Sequence, residues 1–360
     1  MKQYFQVCII LSCIFVGILI GILLTAQNHI KFEDAALGEE MVSYSEYIYK
    51  NDKVQCETAY ILDCLISGKE RTENVLLWIG NSQLHTINNP TKDSKTAPAL
   101  ATDKLRENDL DIITITQPNL SLRETEIIFK FFLNEIKVKY LILPLVFDDT
   151  REANIDPYLS YLASILLNGT DNKISHPEIS FDKYLIEENN ENETIQDISE
   201  NKINRVLSNS YSFWDKRSNV RSSINFFLYK LRNTLFGINS QSVRKLIPKN
   251  YNDNFDSFKN ILHLAEINDV KVLSYIAPIR NDYQIPYNKN EYEKFISESS
   301  SLIKENKQII LNLQRLIPNE YWGMTDATDL SGNNNIDFMH FQEKGHILLE
   351  RAITKILLEQ

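Results

Sequence analysis

Ser82 stands in the run Gly80-Asn81-Ser82-Gln83, directly behind the apolar stretch Val75–Gly80 (VLLWIG). A serine at the turn after a buried strand can attack a carbonyl carbon if a base takes its proton and N–H groups receive the oxyanion. Toward the other end of the chain, Asp337-Phe338-Met339-His340 sets a carboxylate three residues before an imidazole, with Gly345 five residues further on. A histidine held by a carboxylate keeps one tautomer and is stabilised as the cation while it carries a serine's proton. Each motif alone is weak. A serine after a strand ordinarily caps the next helix, and one Asp-x-x-His in a chain of this size is ordinarily a surface pair. Together they describe acyl transfer, with Ser82 as nucleophile, His340 as general base and then acid, and Asp337 orienting His340.

Such side chains need a scaffold that brings the two ends of the chain together. VLLWIG, DIITIT (Asp111–Thr116) and YLILPLVF (Tyr140–Phe147) are short apolar runs suited to fully buried strands. Between the second and third, SLRETEIIFKFFLNEIKV has helical spacing and opens on a capping box, Ser121 to Glu124. Val270–Ile279 and Gln308–Leu313 read as further strands, each behind a helix, near Asp256–Ile267 and Glu291–Glu305; a last helix runs from about Gln342 to Leu358. Strands alternating with helices predict an α/β fold, a parallel sheet covered on both faces. Ligands bind such sheets at the carboxyl ends of the strands, where Ser82 falls.

Gly-x-Ser behind the first strand and Asp-x-x-His-x-x-x-x-Gly before the C-terminal helix resemble the SGNH/GDSL hydrolase superfamily, with Gly80-Asn81-Ser82 in place of Gly-Asp-Ser. The resemblance covers residues 70–160 and 265–358. It implies a flavodoxin-like three-layer α/β/α sandwich, a serine nucleophile, and histidine and aspartate from one C-terminal motif. A looser similarity, to the membrane-anchored DltD and alginate O-acetylation relatives, rests on one N-terminal span followed by such a domain. It implies an extracytoplasmic esterase or O-acyltransferase acting on an acylated glycan, with a membrane-bound O-acyltransferase as partner. The chain departs from the family where an oxyanion would be held. DIITIT runs into Gln117-Pro118-Asn119 without a glycine, which leaves Asn119 as the nearest donor. The third block reads Asp148-Asp149-Thr150-Arg151, so Arg151 and Asp149 are the oxyanion or substrate candidates. The alternative is that Asp148, Asp149 and Arg151 form a salt-bridged surface turn. These departures also leave open a non-catalytic envelope component that binds a polymer or an acyltransferase through the same pocket.

The 360 residues are 43% hydrophobic and carry a net charge of -10, which argues against nucleic acid as a partner. Tyr4–Ala26 holds no charged residue, and at about 1.5 Å per residue it spans a hydrocarbon core. The expected organisation is a transmembrane signal anchor over 1–27, a stalk and helix over 28–70 (the helix around Ser43–Ser67), a first catalytic part over 71–165, an insertion over 166–255, and a second catalytic part over 256–360. The insertion pairs a polar, Asn-rich stretch with a basic, aromatic helix within 211–250, which either packs on the main domain or lies on an anionic surface. Cys56 and Cys64 lie outside the span; in a helix they would be about 12 Å apart and unable to bridge, so two buried thiols and a disulfide both stay open. His85 reads as a first-turn surface residue or a pocket wall, His346 as a surface residue of the last helix, and Trp322 as a buried ring or a groove wall. No metal-ligand spacing and no phosphate-cradling glycine loop occurs, so no cofactor is expected.

Overall fold

A computed structural model describes residues 40–69, 74–168 and 217–359. The expected anchor, the first part of the stalk and the polar part of the insertion lie outside the described residues. No helix among the described residues is long and apolar enough to cross a membrane.

In chain order the elements are β1 (Met41–Ser43), β2 (Tyr47–Tyr49), β3 (Asp52–Glu57), α1 (Ile61–Lys69), β4 (Val75–Gly80), β5 (Thr86–Asn88), α2 (Ala97–Arg106) and β6 (Asp111–Thr116). There follow α3 (Leu122–Glu135), β7 (Val138–Leu145), α4 (Pro157–Asn168), α5 (Arg217–Phe236), α6 (Pro248–Ile267) and β8 (Lys271–Ile276). The chain ends with α7 (Lys289–Glu305), β9 (Ile309–Asn312), β10 (Trp322–Thr325), β11 (Asn335–Phe341) and α8 (Glu343–Leu358). The described residues form two compact units, a larger one within 40–168, 240–325 and 335–359 and a smaller one of 217–239 and 326–334.

In the larger unit a seven-stranded sheet runs in the order β2-β3-β6-β4-β7-β8-β9. All neighbours are parallel except the β2–β3 hairpin. The run β6-β4-β7-β8-β9 has the 2-1-3-4-5 order of a flavodoxin-like sheet. Alternation along the strands splits the core into two layers. Val75, Leu77, Ile79, Ile113 and Leu141 pack toward α1, α3, α4, α6 and α7, whereas Leu76, Trp78, Ile112 and Ile142 pack toward α2 and α8. The capping box forms as predicted: Glu124 N donates to Ser121 Oγ, and Ser121 N donates to Glu124 Oε2.

The segment expected to be a helix around Ser43–Ser67 is instead three strands followed by α1. Lys50 and Asn51 both take positive φ, 46° and 72°, in a two-residue hairpin turn between β2 and β3. The chain then reverses at Thr58–Tyr60 into α1, and Cys64 comes back over Cys56 in a disulfide with Cα atoms 6.2 Å apart. The helical spacing that forbade this bridge therefore does not apply.

Candidate active site

Ser82 opens a short 3-10 turn (Ser82–Leu84) at the carboxyl end of β4, beside β7, where the strand order of the sheet reverses. Gly80 ends β4 because a Cβ there would meet Leu84 Cδ1 at 2.6 Å and Pro144 Cγ at 2.7 Å. Asn81 caps the turn. Its Oδ1 accepts from Gln83 N at 3.0 Å, while its Nδ2 donates to Asp149 Oδ1 and Oδ2 at 3.0 and 2.9 Å. Gln83 Nε2 donates to Pro278 O at 2.9 Å and to Met339 O at 2.8 Å. The nucleophile turn is thus tied directly to the residue before His340.

His340 Nε2 lies 2.9 Å from Ser82 Oγ, and His340 Nδ1 lies 3.0 Å from Asp337 Oδ2. The network selects the Nδ1–H tautomer, with Ser82 Oγ–H donating to Nε2. Asp337 Oδ1 accepts from Met339 N at 2.8 Å and His340 N at 3.0 Å, and Asn88 Nδ2 reaches Asp337 Oδ2 at 3.3 Å. Burial alone would raise this carboxyl. The charge and hydrogen bond of His340, with the two backbone N–H groups, outweigh it and hold Asp337 below the usual carboxylate range.

The Asp-x-x-His motif lies inside β11. Trp322 of β10 pairs with Phe341 and Met324 with Ile336, so Gly323 alone faces the four residues Asp337–His340. That wide bulge frees Asp337 to accept from its own following N–H groups and turns His340 toward Ser82. Gly323 is required opposite it, since a Cβ there would fall 1.8 Å from Asn88 Oδ1. Asn88 in turn donates to Met324 O at 2.9 Å, which fixes its approach to Asp337.

The three remaining candidates are placed differently. Asn119 sits exposed in the left-handed region (φ 53°) on the turn after β6. That turn adjoins the nucleophile strand, because Gln117 N donates to Gly80 O at 3.2 Å, but Asn119 forms no hydrogen bond with the Ser82–His340–Asp337 chain. Arg151 donates through Nε to Lys245 O at 2.8 Å and through Nη1 to Asp148 Oδ1 at 3.2 Å. Asp148 also accepts from Arg244 and, at 2.9 Å, from the Tyr287 hydroxyl. Asp148 and Arg151 thus form the salt-bridged turn that was the alternative reading. Asp149 is separate and buried, its carboxyl pushed well above the ordinary range by desolvation against the opposing Asn81 hydrogen bond.

Two histidines expected at the surface are fully buried. His346 Nδ1 accepts from Ala97 N and Nε2 donates to Thr86 O, both at 3.2 Å, and burial lowers its pKa to about 3. His85, at the end of the nucleophile turn, has its carbonyl accepting from Tyr44 N. Trp322 is buried edge-on to Phe341, with centroids 5.5 Å apart, and offers no stacking platform. Asn88, Gln83 and Gly323 are the site residues that sequence reading missed; they carry no local motif, since their partners lie more than 190 residues away. No group of three or more His, Cys, Asp or Glu suited to a metal ion occurs among the described residues.

No family model and no curated protein matches the sequence. Among solved structures the chain is similar to one from Bacteroides fragilis described as an acylhydrolase, at 9% identity, covering 80% of this chain and 88% of that one, with a TM-score of 0.36. It is also similar to one from Bacteroides thetaiotaomicron described as a GDSL-like lipase, at 9% identity, covering 84% and 98%, with a TM-score of 0.38.

Proposed function

We propose that this chain is a serine acyl hydrolase or O-acyltransferase of the SGNH type, with Ser82, His340 and Asp337 as its catalytic triad. The observation that carries the reading is the unbroken hydrogen-bond chain from Ser82 Oγ through His340 to Asp337, assembled across 258 residues of sequence. Ser82 Oγ attacks the ester carbonyl as its proton passes to His340 Nε2. The Asp337 carboxylate stabilises the imidazolium so formed. The oxyanion is held by the Ser82 N–H, since the Gln83 N–H is occupied by Asn81. Collapse expels the alcohol, which takes its proton from His340, and leaves an acyl group on Ser82. Water or a glycan hydroxyl then attacks that acyl group, with His340 as base again, and regenerates Ser82.

The acceptor and the setting extend the same reading. The chain is a single-pass protein, anchored by Tyr4–Ala26, with its catalytic domain outside the cytoplasm. Its substrate is an acylated envelope or exported polysaccharide, and a membrane-bound O-acyltransferase is its partner. The Cys56–Cys64 disulfide supports this placement, because such bonds persist in oxidising compartments. A second reading, a non-catalytic envelope component binding a polymer or an acyltransferase, is favoured by the engagement of Arg151 with Asp148 and Lys245 and not with the triad.

Labelling with a fluorophosphonate separates the two. The wild type should be labelled, and Ser82→Ala and His340→Ala should lose labelling by about three orders of magnitude or more. A wild type that stays unlabelled, or Ser82→Ala labelled as fast as wild type, sinks the nucleophile assignment. Full cellular complementation by both variants would establish the non-catalytic reading.

A further inference from the structure

The smaller unit carries a helix with an exposed apolar stripe. On α5, Phe227, Leu228, Leu231 and Leu235 fall at i, i+1, i+4 and i+8, a single stripe at helical spacing. In sequence Val220 and Ile224 continue the same register. A helix of a soluble unit ordinarily turns such a stripe inward. Here Phe227 is 54% exposed, Leu228 52% and Leu235 73%, with Leu231 between them half-buried, and Phe236 and Ile238 beyond the stripe are exposed as well. The buried side chain described on this helix is a polar one. Asn233, on the opposite side of the helix with Phe226 and Tyr229, is buried and donates to Thr328 O at 2.7 Å, while Thr234, exposed at the edge of the stripe, accepts at Oγ1 from Leu330 N at 2.9 Å.

The charge pattern says what covers the stripe. From Arg217 to Asn239 the chain holds Arg217, Arg221, Lys230 and Arg232 and no acidic residue, in a protein of net charge -10. Lys230 and Arg232 border the stripe on either side, each with its cation over a neighbouring ring: Lys230 Nζ is 4.7 Å from the Phe226 centroid and the Arg232 guanidinium 5.0 Å from that of Tyr229. Within the same unit Asp329 already acts on Lys230 and Asn233 Oδ1 takes Arg232, but the four cations outnumber the two acids, Asp326 and Asp329, so the fitting occupant supplies apolar depth and negative charge together. A second copy of α5 would bring the apolar stripe but the same positive charge. The acidic stretch Glu187–Glu200 of this chain would bring negative charge, but only Ile195 and Ile198 as apolar cover. An anionic bilayer supplies both, with acyl chains taking the stripe while Lys230 and Arg232 reach the headgroups.

We infer that α5 is an interfacial membrane helix that lies with its Phe227/Leu228/Leu231/Leu235 stripe in an anionic lipid surface. The inference rests on the anchored placement proposed above for its setting and adds a second, peripheral contact with the bilayer.

The test uses the full chain in vesicles with brominated acyl chains, either anionic (phosphatidylglycerol with phosphatidylcholine) or zwitterionic (phosphatidylcholine alone). Leu235→Trp in a Trp214→Phe background reports burial, and Tyr60→Trp, exposed in the larger unit, is the control. The added emission of Trp at 235 should be quenched about twofold or more in anionic vesicles. It should be quenched less in zwitterionic ones and recover in Lys230→Glu/Arg232→Glu, with the control unaffected throughout. Absence of quenching in anionic vesicles, or quenching indifferent to charge reversal, overturns the inference. So does burial of the reporter in detergent, whether rising with protein concentration (a second copy) or independent of it (cover from the chain itself). Resistance to alkaline carbonate extraction reads the anchor separately. A chain stripped by carbonate whose reporter is still quenched loses the anchor but keeps the helix; a chain that resists extraction without quenching shows the reverse.

Discussion

At the scale of single residues the nucleophile depends on an amide that can point only one way. Asn81 must offer its carbonyl oxygen to Gln83 N and its NH2 to Asp149, and above the raised pKa of that carboxyl, where it has no hydrogen to donate, Asp149 enforces that orientation. An amide at 149 could accept from Asn81 or donate to it, so Asp149→Asn removes the enforcement while keeping shape and volume. The mutation also removes a destabilising charge. Burial raises the Asp149 carboxyl above its ordinary value of 3.8, so the folded state binds its proton more tightly than the unfolded state does. Its contribution to stability therefore falls as pH rises from about 4 through the raised pKa, and the full cost applies above it. The expected outcome is a split. Denaturation midpoints of Asp149→Asn match wild type near pH 4 and meet or exceed it at neutral pH, while fluorophosphonate labelling of Ser82 slows roughly tenfold, about 1.4 kcal/mol in barrier. A variant less stable than wild type at neutral pH, with unchanged labelling, would show Asp149 to be structural only.

At the scale of elements, the β10–β11 bulge is what converts a common tetrapeptide into a working pair. Gly323→Ala sets a methyl group into Asn88 and drives it from Asp337. This should cost about 1–3 kcal/mol of stability as overpacking and slow Ser82 labelling. Adding Asn88→Ala should relieve the clash and restore the midpoint without restoring the rate, a non-additivity that a double-mutant cycle reads directly. If the double variant recovers both, Asn88 does not position Asp337. The same elements show where the sequence was legible. The strands VLLWIG and DIITIT, the capping box at Ser121 and the order of the two motifs depend on contiguous residues, and they form where the pattern puts them. The hairpin at Lys50-Asn51 was missed because neither residue advertises positive φ as Asn-Gly would. The bulge was missed because it is a property of β10 and β11 jointly, and Asn88, Gln83 and His346 because their partners are brought in by the sheet, not by the neighbouring chain.

At the scale of the whole molecule, one covalent link joins edge to layer. Cys56 lies on β3, next to the outermost strand of the sheet, and Cys64 lies on α1, which packs on the sheet face. The bridge spans eight residues of sequence. By loop-closure entropy a bond of this span contributes about 2–3 kcal/mol, largely by restricting the unfolded chain. A Cys56→Ser/Cys64→Ser variant should therefore unfold at a lower denaturant concentration than the oxidised protein, and reduced wild type should unfold with it. Both cysteines are buried, so the bridge is shielded from reductant until the fold opens. The redox state in the living cell then reports the compartment. Thiol trapping of the native protein under denaturing conditions should leave Cys56 and Cys64 unmodified unless reductant is added first. Cys8 and Cys13, inside the apolar span, should react without reductant and serve as the internal control. Free thiols at 56 and 64 in freshly trapped cells would place the folded unit in a reducing compartment. The extracytoplasmic assignment would then fall, while the chemistry of Ser82, His340 and Asp337 would stand or fall by its own labelling.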